Sequence, residues 1–271
     1  MRGRSEEGIA LIAVLWTLTL LSIIAIALSL ETRNSSLIAR NIAESAAARA
    51  AADAGIQRAI LDLETPPSSP IESRKFRTDG TVYAWPFGKT IVHISVQDEV
   101  GKVNLNQAPE ALLAALFASV GVESGKAHSL ADAIADYRDS DDLPRVRGAE
   151  EAEYRDAGLA WGPKNAPFQT IEELQQVLGI TTQIYSQVAS ALTIYSIGAA
   201  INPTMAGERL TGILREAGFK YFVGSQGVAA YLIRAEAKSS NGAMFTREVV
   251  TQLLPDGTHP SILLWKQDAN N

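Results

Sequence analysis

Gly8-Ile9-Ala10-Leu11-Ile12-Ala13-Val14-Leu15-Trp16-Thr17-Leu18-Thr19-Leu20-Leu21-Ser22-Ile23-Ile24-Ala25-Ile26-Ala27-Leu28-Ser29-Leu30 is the stretch that decides how this chain is built. From Ile9 to Leu30 there are 22 consecutive residues without a charge. As a helix rising about 1.5 Å per residue they span roughly 33 Å, enough to cross a bilayer core of about 30 Å. The segment predicts a single membrane crossing. The remaining residues, about 240, then lie on one side of the membrane.

A short polar leader, Met1-Arg2-Gly3-Arg4-Ser5-Glu6-Glu7, stands ahead of Gly8. Three readings fit this arrangement. A cleaved secretory signal has a shorter apolar core, of about 7–15 residues, and a small-residue cleavage site, for which Ala25-Ile26-Ala27 is the candidate. A plain signal anchor fits the length. A prepilin-type leader fits more features: it is short, polar and ends in Gly, with cleavage ahead of the apolar segment. Arg2 and Arg4 place the N-terminus in the cytoplasm by the positive-inside tendency, although Glu6 and Glu7 accompany them.

The pattern beyond Leu30 extends the helix. No Pro occurs from Ile9 to Thr65, and the only Gly there is Gly55. Leu30, Leu37, Ile38, Ile42, Ala46 and Ala50 recur at helical spacing, and the alanines of Ala46 to Ala52 are strong helix formers. One helix is expected to run to about Leu63, apolar all round in its first half and amphipathic in its second. Pro66-Pro67-Ser68-Ser69-Pro70 ends it.

A formal net charge of −6 argues against general nucleic-acid affinity. With no cysteines there are no disulfides, thiol catalysis or thiolate metal sites. The three histidines, His93, His128 and His259, lack metal-ligand spacing and read as structural or solvated.

Thr81 to Trp85 and Thr90 to Val96 are rich in β-branched and aromatic residues and read as a hairpin around Phe87-Gly88-Lys89. Helical patterning follows. Leu112, Leu113, Leu116 and Phe117 share a face, Leu130, Ile134 and Tyr137 a second, and Ile171, Leu174, Val177 and Leu178 a third. Strand patterning returns at Val228 to Ala237, Phe245 to Leu253 and Ile262 to Trp265, with a turn at Pro255-Asp256-Gly257. The expected fold is α+β. A long N-terminal pilin-type helix packs on an antiparallel sheet, with a large all-α domain inserted in the sheet domain. The expected division is a leader at 1–8, the helix at 9–65 (9–30 transmembrane), an α/β domain at 66–103 and 217–271, and a helical insertion at 104–216.

A repeat brackets the insertion. Val103 to Leu112 and Ile201 to Leu210 share the pattern apolar-N-x-x-x-A-x-E-x-L-x-x-x-L, closing at Leu116 and Leu214. Each copy reads as a capped helix start.

On these residues the chain resembles a family. The apolar start after Gly8, Asp98 to Asn106, Ala133 to Asp142, Gly148 to Tyr154 and Pro167 to Leu174 resemble, in the same order, protein K of the general secretion pathway, the K minor pseudopilin of type II secretion. The resemblance is weakest in the C-terminal strands. It implies a pilin-like α/β domain with a helical insertion and processing by a prepilin peptidase between Gly8 and Ile9. It also implies N-terminal methylation, a place at the pseudopilus tip beside the I and J subunits, and calcium in the insertion.

Cleavage after Gly8 would make Ala13 the fifth mature residue, where most pilins and pseudopilins resemble each other in carrying Glu. A carboxylate in the membrane is costly unless paired, and its partner would be the terminal ammonium of a neighbouring subunit. A subunit with Ala13 cannot make that pair on arrival, yet it still offers its own amine to the next. That polarity suits the first subunit of a fibre.

The acidic segments Asp139-x-Asp141-Asp142 and Glu150-Glu151-x-Glu153 flank a Pro- and Gly-containing loop. Hard cations such as Ca²⁺ take six to eight oxygens, so these six acids are the candidate ligands. The EF-hand pattern is absent. A solvated acidic loop, neutralised by Arg138, Arg145, Arg147 and Arg155, is the competing reading.

Two other function classes compete with this one. Asn104 to Leu116, Leu130 to Arg138 and Phe168 to Ile180 resemble helix-hairpin-helix DNA-binding modules, including membrane-anchored uptake receptors. Residues 104–200, however, hold 13 acids against six bases, whereas phosphate binding by counterion release needs cations. No phosphate loop and no Ser-His-Asp cluster supports an enzyme, and Gly224-Ser225-Gln226-Gly227 reads as a turn. The expectation is a non-enzymatic inner-membrane protein with its soluble mass in the periplasm.

Overall fold

The computed structural model describes residues 4–65, 76–196, 198–199, 201–216, 229–239, 242, 244–253 and 260–268. One helix, α1 (Arg4–Glu64), runs unbroken for 61 residues, about 90 Å at about 1.5 Å per residue. Every side chain from Ala10 to Ala43 is exposed. Below them a seam of Ala48, Ala51, Ala52, Ile56, Ala59, Ile60 and Leu63 is buried, at the i, i+3, i+4 spacing of one helical face. The stripe expected from Leu30 to Leu63 is therefore covered within this chain only from Ala48 onward. Leu30, Leu37, Ile38 and Ile42 stand exposed.

A sheet of five strands, β1 (Asp79–Phe87), β2 (Thr90–Asp98), β5 (Ala229–Lys238), β6 (Met244–Leu253) and β7 (Ser261–Asp268), receives that seam on β2, β5 and β6. They lie in the order β1-β2-β5-β6-β7, antiparallel throughout. The β1–β2 hairpin turns at Gly88, whose φ of 59° suits the first position of a two-residue loop. Alternate residues, Val92, Ile94 and Val96 on β2 and Ile233, Ala235 and Ala237 on β5, form one core with the α1 seam.

Gly55 explains itself in this core. A Cβ there would lie 2.9 Å from Val92 Cγ1 and 3.1 Å from Ala235 Cβ. Gly55, the one glycine of α1 beyond Gly8, thus stands where the helix approaches β2 and β5 of the sheet closely.

The insertion leaves the sheet after β2 and returns at β5, its direct neighbour. It holds α2 (Glu110–Ala118), α3 (Ser124–Arg138), α4 (Glu151–Asp156), α5 (Thr182–Val188) and α6 (Glu208–Glu216). The two-residue strands β3 (Val103–Asn104) and β4 (Leu192–Thr193) pair in parallel within it. Its core is separate from that of the sheet and centres on Leu113, Leu116, Phe117, Leu130, Ile134 and Leu174, with Tyr137 stacked on Phe168 at 4.8 Å. The first two helical faces read from the sequence are the buried faces of α2 and α3. The third is a 3₁₀ turn, Ile171–Gln176, rather than an α-helix. Gly179 at φ 85° reverses the chain too soon for i→i+4 bonding to propagate.

The repeat is real in three dimensions, but its asparagines do a different job from the one expected. Asn104 Oδ1 accepts the N–H of Asn106 (2.8 Å), and Asn202 Oδ1 accepts that of Thr204 (3.0 Å). Each asparagine carbonyl also accepts from residues three and four further on. Both copies build the same Asx-turn, six residues ahead of a helix that starts at Glu110 or Glu208, and α2 has no side-chain cap. The fixed spacing reflects this turn, not a cap on the helix. The proline-rich stretch 66–70 and the turns expected at 224–227 and 255–257 lie outside the described residues.

Candidate metal centre

Asp139, Asp141 and Glu150 offer carboxylate oxygens that lie within 4.8 Å of one another. Asp139 ends α3, and Asp141 follows where the chain leaves it. Asp141 Oδ1 accepts the N–H of Leu143 (3.0 Å), which starts the turn of the loop. Glu150 directly precedes α4 and is 5% exposed.

The oxygens here are under-used. Asp139 Oδ1, both carboxylate oxygens of Glu150 and Asn165 Oδ1 are buried with no hydrogen-bond partner among the described residues. A buried carboxylate with no partner carries a large desolvation cost. Burial, and then the carboxylates of Asp136, Asp139, Asp142 and Asp141, push the Glu150 carboxyl up to about 7. An arrangement that strains a carboxylate in this way when empty is relieved by a cation, and an all-oxygen donor set suits a hard one.

The other three sequence candidates lie around this cluster in different roles. Asp142 Oδ1 accepts from Asn165 Nδ2 at 2.8 Å. Glu151 pairs with Arg155 on the surface of α4 (2.6 Å). Glu153 Oε2 accepts the N–H of Glu150 (2.9 Å), so it fixes the start of α4. Asn165 was not among the acidic candidates. Its φ of 50° is a conformation asparagine tolerates better than most residues, and it lines with Asp142 and Glu150 a cavity of about 260 Å³.

Arg145 lies inside the acidic loop. It contacts Asp136 (2.6 Å), Asp139 (2.5 Å) and Glu110 (3.3 Å), so it is bound within the fold rather than screening the surface. Arg138 is likewise engaged with the carbonyls of Leu105 and Ala108. At the other end of the molecule, Gly8 and Ile9 fall within α1, and Ala13 is exposed on its free portion. His93 is exposed on β2, and His128 Nδ1 lies 2.8 Å from its own helix carbonyl at Ser124.

The stretch that holds this cluster is similar to a known family. Residues 94–196 match the family model for protein K of the type II secretion system. A candidate type II secretion system protein K of Escherichia coli (strain K12) is 34% identical over 80 residues. Residues 94–196 thus resemble the protein K family of type II secretion. The alignment to the Escherichia coli K12 relative covers 30% of this chain and 24% of that protein. The fold as a whole is similar to a chain in the crystal structure of the GspK-GspI-GspJ complex from the type 2 secretion system of enterotoxigenic Escherichia coli. The TM-score is 0.59 at 15% identity, covering 88% of this chain and 99% of that one. The matched stretch thus contains the acidic cluster, and the matches described here do not support the DNA-binding alternative.

Proposed function

We propose that this chain is the K minor pseudopilin of a type II secretion system. In this reading it is a non-enzymatic subunit that starts the pseudopilus and stays at its tip. One observation carries the reading. A stretch that matches protein K is inserted between neighbouring strands of a sheet, and that sheet is mounted on a helix whose residues Ala10 to Ala43 stand exposed.

The free part of α1 has two tasks by its chemistry. Its uncharged run anchors the chain once in the inner membrane, with the N-terminus cytoplasmic and the sheet and insertion periplasmic. The exposed stripe of Leu30, Leu37, Ile38 and Ile42 packs on the helices of the I and J subunits; the solved relative is a complex of that composition. Prepilin peptidase cuts between Gly8 and Ile9, and the new N-terminus is methylated. Ala13 leaves an arriving subunit without the acid that pairs with a neighbour's amine. The bulk of residues 104–216, the proposed inserted domain between 66–103 and 217–271, obstructs stacking above it.

The acidic cluster holds a structural Ca²⁺. Asp139, Asp141, Glu150 and Asn165 are the residues in place to hold it, with Asp142 adjacent. The ion would neutralise the buried carboxylates and tie the loop after α3 to the start of α4.

Co-isolation of the full-length chain with tagged I and J subunits from detergent-solubilised membranes tests this reading. A ternary complex is expected, and Leu37→Asp with Ile42→Asp should release this chain while I and J stay paired. Recovery of I and J without this chain in the wild type would refute it.

A further inference from the structure

The acidic cluster has a support built beneath it. Asp136 is fully buried on α3, one turn before Asp139. Its Oδ2 accepts the N–H of Ala149 (2.8 Å) and of Arg145 (3.2 Å), and its Oδ1 accepts from Arg145 Nη1 (2.6 Å). The same Nη1 donates to Asp139 Oδ2 (2.5 Å). One oxygen of Asp139 is therefore occupied, and the other, Oδ1, is the buried one with no partner among the described residues. On the opposite side, the Ala149 N–H held by Asp136 lies just ahead of Glu150, whose two oxygens have no such partner.

We propose that Asp136 and Arg145 are the positioning pair of the cation site. They clamp Asp139 from one side and the Ala149–Glu150 peptide from the other, so that the free oxygens converge. Gly148 belongs to the same device. A Cβ there would sit 1.8 Å from Asp136 Oδ2, so any side chain at 148 displaces the carboxylate that aims Glu150. The inference rests on the cluster being a cation site.

Electrostatics alone predicts the opposite sign, which makes the proposal sharp. A guanidinium beside an acidic cluster opposes the approach of a second cation, so deleting it should tighten calcium binding. Positioning predicts weakening. Residues that orient metal ligands typically change affinity by about 10–100-fold when altered.

The test is calorimetric titration of the full chain in detergent micelles with CaCl₂, with melting curves recorded in chelator. Arg145→Met should raise the Kd at least about tenfold although it removes a positive charge. Gly148→Ala, which changes no charge, should do likewise. Arg155→Met removes a nearby positive charge that bridges only Glu151 among the described residues, and should leave the affinity unchanged or tighter. If Arg145→Met does not fold in chelator, Gly148→Ala and Asp136→Asn decide the matter. Wild-type affinity or better in Arg145→Met, or in folded Gly148→Ala, would overturn the positioning role. No calcium heat in the wild type would overturn the cation reading itself, and this inference with it.

Discussion

Arg247 on β6 donates from Nε to Asp53 Oδ1 on α1 at 2.7 Å, across 194 residues of sequence. The Arg247 side chain is 3% exposed, while Asp53 keeps 36%. The guanidinium also lies 5.0 Å from the ring centroids of both Phe245 and Trp265. One cation thus ties the long N-terminal helix to two strands at once.

Removing one partner of such a pair leaves a buried charge unmatched. Asp53→Ala should cost about 2 kcal/mol, in the range for a hydrogen bond to a charged group. Arg247→Met alone replaces the charge by apolar volume, and the double variant should be no worse than Asp53→Ala. A double-mutant cycle from chemical denaturation checks this. Additive losses in the two single variants would contradict it.

Gly55 gives a second expectation. Gly→Ala in a helix interior ordinarily gains about 1 kcal/mol. Here the added methyl meets Val92 and Ala235 below normal contact distance, so the gain should vanish or reverse. Gly55→Leu should cost about 1–3 kcal/mol, as overpacking does. Thermal melts of the two variants measure it. A more stable Gly55→Ala would mean that helix and sheet are not in the close contact described.

Much of this architecture was legible in the chain. The continuity of α1 followed from the absence of Pro and the alanine-rich pattern, and the hairpin followed from its β-branched runs around Gly88. What could not be read has physical causes. The reason for Gly55 lies on strands 37 and 180 residues away in sequence, at Val92 and Ala235. Local pattern shows a missing side chain but not what approaches it. Asn104 and Asn202 were visible as a repeat, yet an Asx-turn and a helix cap use the same residue type. Of the acids, the sequence brought forward six. Only the fold separates Asp139, Asp141 and Glu150, which converge, from Glu151 and Glu153, which do not. Asn165 was invisible because it is neutral and comes from a distant loop.

Calcium removal should loosen the insertion. At a free concentration of 100 Kd the ion contributes about 2.7 kcal/mol by mass action. For a chain of this size that corresponds to a melting shift of about 5–10 °C between millimolar Ca²⁺ and chelator. Asp139→Ala with Asp141→Ala should abolish the difference. Mg²⁺ should substitute poorly because it demands a tight octahedron. Coincident curves with and without Ca²⁺ would show a solvated acidic surface instead.

Glu150 sets a pH dependence with a definite sign. Its folded carboxyl titrates near 7, above the ordinary 4.5. Without metal, the folded state then binds more protons than the unfolded state through that window. The stability it contributes is present below about pH 4.5 and is lost as pH rises through about 7. In chelator, Glu150→Gln should flatten this decline and melt higher than wild type at pH 8. In calcium the order inverts, because binding requires the carboxylate, and wild-type affinity should fall below pH 7. An unchanged slope in Glu150→Gln would assign the titration elsewhere.

The central claim, that this chain is a processed minor pseudopilin, is tested most directly by the N-terminal residue and intact mass of the protein from native membranes. Cleavage between Gly8 and Ile9 predicts a mature chain that begins at a methylated Ile9 and keeps its apolar helix, with Gly8→Leu accumulating the uncut form. An intact Met1 leader in the wild type, or a mature start beyond Ala27, would contradict it.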